Sequence, residues 1–155
     1  MANPKKRILI VDDEPDHRDL LKLLLLDVWA LDVVVAEASH GQAAVEQTQQ
    51  WHPQVILMDL LMPYLDGYEA IRQIRALETM QMASAETVQP LAPRISIIAV
   101  SAAGLMGGRS RALAAGCDDF IAKPYSPEAM YAILQPALAN CHRPLQPAGD
   151  LLCAA

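Results

Sequence analysis

Short apolar runs recur along the chain, and four of them stop abruptly at a polar or charged residue. Ile8-Leu9-Ile10-Val11 ends in Asp12-Asp13, and Val55-Ile56-Leu57-Met58 ends in Asp59. Ile97-Ile98-Ala99-Val100 ends in Ser101, and Phe120-Ile121-Ala122 ends in Lys123-Pro124. Runs this short, rich in β-branched residues and bounded by turn residues, read as buried strands of a parallel sheet. The pattern predicts strands near 7–12, 33–37, 54–59, 95–100 and 118–122. Helices are predicted near 15–29, 41–51, 67–82, 106–115 and 126–140. Strand–helix alternation with short connections implies a parallel sheet, right-handed crossovers and helices on both faces.

Local chemistry marks several boundaries. Pro15 suits the first turn of the first helix. Asp66-Gly67 is a turn ahead of the third helix. Gly116 closes the fourth helix in a left-handed cap. Ser126-Pro127-Glu128 supplies an N-cap, a first-turn proline and a first-turn carboxylate for the fifth helix, and Pro136 is expected to end or kink it. The stretch Leu77–Pro93 is long for a helix-to-strand connection, so the third helix is expected to run on before a loop. Gly104-Leu-Met-Gly-Gly predicts a weakly held start to the fourth helix. The Leu20–Leu26 region places leucine on more than one helix face, which suggests a core face and a second, interacting one.

Composition narrows the class. A chain of 155 residues is about one domain, and 53% apolar content supports a real core. No apolar run is long enough to span a bilayer. The N-terminal charges precede only Ile8–Val11 and no small-residue cleavage site, which argues against secretion. A net charge of −6 disfavours direct nucleic-acid binding. Lys5-Lys6-Arg7 reads as a solvated lead-in to the first strand. Three cysteines without a C-x-x-C spacing fit a reduced, cytoplasmic setting. His17, His40, His52 and His142 are scattered without ligand spacing and read as surface or structural residues.

In an open α/β sheet, ligands bind outside the carboxyl ends of the strands. Three carboxylates, a hydroxyl and an ammonium would therefore meet at one edge. Asp12-Asp13 would repel a pyrophosphate, and no G-x-G-x-x-G follows the first strand. Adjacent acids at a strand end suit a hard cation such as Mg²⁺. Asp59 beside them would help bind it and could act as a nucleophile, forming an acyl phosphate. Ser101 could donate to a phosphoryl oxygen and Lys123 could pair with another, with Pro124 fixing the turn that holds Lys123.

Ile8-Leu-Ile-Val-Asp-Asp-Glu-Pro, Met58-Asp-Leu-Leu-Met-Pro-Tyr-Leu-Asp-Gly, Ala99-Val-Ser-Ala and Gly116-Cys-Asp-Asp-Phe-Ile-Ala-Lys-Pro together resemble the receiver domain of two-component response regulators. The resemblance covers roughly residues 6–140. It implies a flavodoxin-like, doubly wound sheet of five parallel strands in the order 2-1-3-4-5 with five helices. It further implies that Asp59 accepts a phosphoryl group from a histidine kinase or a histidine phosphotransfer protein. Asp13, Asp59 and the Leu61 backbone carbonyl would contact Mg²⁺, with Asp12 in the outer shell. Ser101 matches the switch hydroxyl. Phe120 matches the switch aromatic, expected to turn inward from a more exposed rotamer on phosphorylation. Partner binding, or weak dimerisation of a monomer, would use the face of the fourth helix, fifth strand and fifth helix.

Two departures bear on lifetime. Leu61 and Ala103 stand where the family often has polar residues, so a long-lived phosphoaspartate is expected. Residues 141–155 are expected to form a mobile tail with no output domain, and the six-residue lead-in favours a free-standing bacterial regulator over a receiver from a hybrid kinase. Phosphatases of the haloacid dehalogenase type also use an aspartate nucleophile. Their D-x-D pattern is not met by Asp12-Asp-Glu or by Asp59-Leu-Leu.

Overall fold

The computed structural model describes residues 4–83, 93–102 and 107–140. Residues 84–92, Ala103 to Met106 and the segment 141–155 lie outside the described residues. The expectations of a loop after the third helix and of a mobile tail fall on these segments, as do the first three residues, 104–106, of the weakly held stretch that runs from Gly104 to Gly108.

Strands β1 (Lys6–Val11), β2 (Val33–Ala38), β3 (Val55–Met58), β4 (Ser96–Ser101) and β5 (Asp119–Ala122) alternate with helices α1 (Pro15–Leu23), α2 (Gly41–Trp51), α3 (Gly67–Ala83), α4 (Gly108–Ala115) and α5 (Pro127–Ala139). All strands are parallel, in the order β2-β1-β3-β4-β5, so the flavodoxin-like expectation holds. β3 is buried along its whole length, as a central parallel strand with helices on both faces must be. Its neighbour β1 alternates between two cores. Leu9 and Val11 pack with residues of α2, α3 and α4, while Ile8 and Ile10 pack with Leu21, Leu25, Met130 and Leu134 from the other face. No helix among the described residues is long and apolar enough to cross a membrane.

The predicted boundary residues hold. Pro15 and Pro127 open α1 and α5, and the Ser126 side chain accepts a hydrogen bond from the Ala129 amide. Asp66 accepts from the Glu69 amide at 2.8 Å, turning the chain into α3. Gly116 ends α4 at φ 117°, a left-handed backbone that a side chain would strain.

The structure refines three local expectations. The first helix is not uniform: α1 passes at Leu24 into one π-helical turn, Leu24–Val28, with the Trp29 amide bonded to the Leu24 carbonyl at 2.9 Å. The wider turn lets the adjacent Leu24 and Leu25 both enter the core, while Leu20, Leu23 and Leu26 stay exposed. Of the two outcomes expected at Pro136, a stop is excluded: the proline lies inside α5, which runs to Ala139, close to the predicted end near 140. Lys6 and Arg7 are part of β1 rather than a lead-in. The Lys6 ammonium donates to the Leu138 carbonyl, and the Arg7 guanidinium lies 5.9 Å from the centre of the Trp51 ring.

The close approach of β3 to α3 positions the loop between them. A Cβ on Gly67 would lie 2.6 Å from the Leu60 Cα and would strike the Asp59 carbonyl oxygen. The Gly67 amide instead donates to the Leu60 carbonyl at 3.1 Å. Gly67→Ala is therefore expected to destabilise the fold by about 2–3 kcal/mol, the cost of overpacking against backbone that cannot yield. Chemical denaturation of the two proteins measures it, and an unchanged midpoint contradicts the packing argument.

Candidate functional site

Parallel register brings the four punctuating residues to one edge. Val11 pairs with Met58, Met58 with Ala99, and Ser101 with Ala122. The ladder continues one residue further at three places. The Asp12 amide donates to the Ala38 carbonyl at 3.1 Å, Asp59 to Val11 at 2.8 Å, and Lys123 to Ser101 at 3.0 Å. Each functional side chain thus leaves a backbone already fixed by the sheet. The pocket lies between β1 and β3, where the chain switches from one face of the sheet to the other.

Asp12, Asp13 and Asp59 each offer a carboxylate oxygen, and these atoms lie within 4.8 Å of one another. Asp12 and Asp59 are buried, at 2% and 5% exposure, whereas Asp13 is exposed. Lys123 Nζ bridges the two buried acids, 2.9 Å from Asp12 Oδ2 and 3.3 Å from Asp59 Oδ2. The Lys123–Pro124 peptide bond is cis. Three clustered carboxylates against one ammonium leave uncompensated negative charge, and oxygen donors in such a cluster fit a small divalent cation.

Leu61 sits at the rim, 55% exposed, and its amide donates to Asp59 Oδ1 at 3.1 Å. Ser101 is fully buried at the end of β4. Phe120 departs from expectation. It is 6% exposed and packs in the core on the α2–α4 side, opposite Ala99, rather than in an exposed rotamer.

One neighbour of the acids went unrecognised in the sequence. His17, placed five residues after Asp12 by the first turn of α1, bonds through Nδ1 to Asp12 Oδ2. Its Nε2 lies 2.6 Å from the Tyr125 hydroxyl. The other described histidines are structural. His40 caps α2 by accepting from the Ala43 amide, and His52 is its left-handed C-cap. His142 lies outside the described residues.

The two buried acids respond oppositely to their surroundings. Burial alone would raise the Asp12 carboxyl. Hydrogen bonds from His17, the Glu14 amide and Lys123 outweigh it and hold Asp12 at about 2. For Asp59 burial wins. Its pKa is raised, because the Leu61 amide and a shared Lys123 only partly offset desolvation and the Asp12 charge. Burial would lower the Lys123 ammonium, but its two carboxylates raise it, so it stays charged. Burial and the Asp12 charge push the Tyr125 phenol up to about 12, which keeps its proton in place.

Residues 8–135 match the family model of the response regulator receiver domain. The chain belongs to that family. Among curated relatives, the receiver is 34% identical over 122 residues to the chemotaxis protein CheY of Thermotoga maritima, covering 79% of this chain and 88% of the relative. It is 30% identical over 140 residues to the response regulator Rre1 of a Synechocystis species, covering 90% of this chain but 54% of that protein. The receiver spans about half the length of this and several other curated relatives. Among solved structures, it aligns with the receiver domain of a sensor histidine kinase from Pseudomonas aeruginosa at 32% identity and a TM-score of 0.69, covering 88% and 99% of the two chains. That structure has a magnesium ion coordinated in its active-site cleft. The receiver domain of Ssk1 from Saccharomyces cerevisiae, solved with the histidine phosphotransfer protein Ypd1, aligns at 29% identity and a TM-score of 0.75, covering 94% and 95%.

The opposite shifts of the two acids give a pH test. Asp12 is depressed, so the stability it contributes is present above its unfolded value of 3.8 and is lost as pH falls toward about 2. Asp59 is raised, so the fold prefers its neutral form, and that preference is lost as pH rises through the raised value. Without divalent cations, Asp59→Asn is therefore expected to melt a few degrees above the wild type at pH 7, the gap closing below pH 4. Asp12→Asn is expected to melt lower at pH 7. Thermal scans across pH measure both, and the same sign for the two variants at pH 7 contradicts the assignment.

Proposed function

We propose that this receiver is a phosphorylation-controlled binding module in which Asp59 is the phosphoacceptor. The observation that carries the reading is the convergence of Asp12, Asp13 and Asp59 within 4.8 Å, with Lys123 bridging the two buried acids. The donor is the phosphohistidine of a histidine kinase or a histidine phosphotransfer protein, in keeping with the likeness to a receiver solved with such a protein. An Asp59 carboxylate oxygen attacks phosphorus. The new O–P bond forms as the donor's N–P bond breaks, and the imidazole leaves with the bonding pair and takes up a proton. Phosphoryl transfer of this kind depends mainly on positioning and charge neutralisation.

Asp13, Asp59 and the Leu61 backbone carbonyl would hold Mg²⁺, with Asp12 in the outer shell. The ion would supply positive charge against the transferring phosphoryl oxygens. Lys123 places its ammonium 3.3 Å from Asp59 Oδ2, within reach of a phosphoryl oxygen on that carboxylate. Ser101 would donate to another phosphoryl oxygen. The resulting shift at the end of β4 is the switch that changes partner affinity, acting on a pre-existing equilibrium. The downstream partner is a protein met in the cytoplasm, and the α4–β5–α5 face is where the receiver would meet it or a second copy. The likeness to a sensor-kinase receiver favours, as a second setting, the same chemistry within a hybrid kinase.

Incubation with acetyl phosphate and Mg²⁺, followed by peptide mass spectrometry, is expected to find the phosphoryl group on Asp59. Labelling is expected to be lost in Asp59→Asn and in excess chelator. Modification at another residue, or equal labelling of Asp59→Asn, overturns the reading.

The exposed Leu61 side chain offers no polar group to orient an attacking water. Leu61→Asn is expected to shorten the lifetime of the phosphorylated form, read as the decay rate after the donor is removed. A variant that decays no faster refutes this role.

A further inference from the structure

Asp12 Oδ2 carries two side-chain donors at once. Lys123 Nζ lies 2.9 Å away, and His17 Nδ1 bonds to the same oxygen. Asp12 Oδ1 accepts from the Glu14 amide at 2.9 Å. A carboxylate so engaged is held in one orientation and has little capacity left for a direct cation contact. His17 is itself held from both ends. A carboxylate only accepts, so the hydrogen on the Asp12 side belongs to Nδ1. The Nε2 atom lies 2.6 Å from the Tyr125 hydroxyl, which can either donate to it or accept from it, so a hydrogen bond forms there in either protonation state of the ring. The tyrosine ring also lies edge-on to the imidazole, with centroids 5.8 Å apart at 63°. The His17 side chain is only 11% exposed, so this chain of bonds is shielded from water. The arrangement is that of an outer-shell partner that orients a carboxylate beside a metal site.

We propose that His17 is a positioning residue of the acidic pocket: through Nδ1–H it fixes Asp12 in the outer shell, and through Nε2 it is fixed by Tyr125, so that the geometry offered to Mg²⁺ depends on this imidazole. The proposal rests on the reading of Asp12, Asp13 and Asp59 as the Mg²⁺ site. It places a residue of α1 and a residue just after β5 in one hydrogen-bonded chain with the pocket.

The test exploits the two ring nitrogens. An Asn amide at position 17 can mimic Nδ1–H, whereas a Gln amide reaches toward the place of Nε2. Mg²⁺ is titrated by calorimetry into wild type, His17→Asn, His17→Gln and His17→Leu, with no phosphodonor present, and the melting temperature of each is recorded. Affinity is expected to stay within about twofold in His17→Asn and to fall roughly tenfold or more in His17→Gln and His17→Leu. It is expected to follow the retained Nδ1 donor and not the order of melting temperatures. Equal affinities in all four, loss in His17→Asn with retention in His17→Gln, an order that tracks melting temperature, or a wild type that binds no Mg²⁺ each overturns the proposal. Acetyl phosphate labelling of the wild type separates this from the phosphoacceptor reading. A protein that passes the titration but is not labelled on Asp59 sinks only that reading. Normal labelling with four equal affinities sinks only the role of His17.

Discussion

The site depends on backbone hydrogen bonds that continue the parallel ladder one residue beyond the apolar runs. Asp59 bonds back to Val11, Asp12 to Ala38 and Lys123 to Ser101. Without these, each charged side chain would hang from a loop and its distance from the others would fluctuate. With them, residues separated by more than 100 positions in the chain meet at hydrogen-bond distance. A one-residue slip of any strand would also turn its apolar residues toward the wrong core, so the hydrophobic pattern and the site geometry enforce each other. The close contact of Gly67 with the Asp59–Leu60 backbone extends that rigidity to the start of α3.

Burying like charges together is unfavourable, and the pocket resolves this unequally. Asp12 is supplied with donors from three directions and remains a carboxylate under nearly all conditions. Asp59 has fewer and is held at a cost, with a raised pKa. That asymmetry suits two roles. A saturated acid makes a fixed electrostatic wall, and an under-satisfied one gains from a cation and has an oxygen available for bond formation. Lys123 couples the two, because its one ammonium is shared between them.

The two faces of the sheet divide the remaining work. Helices α2, α3 and α4 cover one side, where Phe120 is packed beneath β4. Helix α1 and α5 cover the other, and the His17–Tyr125 contact joins the start of α1 to the chain entering α5. The α1–α5 layer therefore reaches the pocket through His17, which bonds to Asp12 on one side and to Tyr125 on the other.

The architecture was largely legible from residue pattern. Period and punctuation placed all five strands to within about one residue, because a central parallel strand must be apolar on both faces and must stop where the backbone meets water. The acids and Lys123 were legible for the same reason, since strand ends share one edge. Helix caps were readable at Pro15, Gly116 and Ser126, where local backbone demands choose the residue. What stayed hidden was set by contacts distant in sequence. The π turn after Leu23 arises from packing two adjacent leucines into the core. The inward Phe120 is likewise a matter of tertiary fit. Arg75 joins Glu78, Ile95, Gly116 and Asp118, a cluster with no sequence period. His17 gave no signal as a scattered histidine; its meaning comes from Asp12 and Tyr125, which only the folded sheet brings to its two nitrogens. Sequence determines what recurs locally along a strand or helix, whereas the partner of a buried polar group is decided by whichever donor the fold carries within reach.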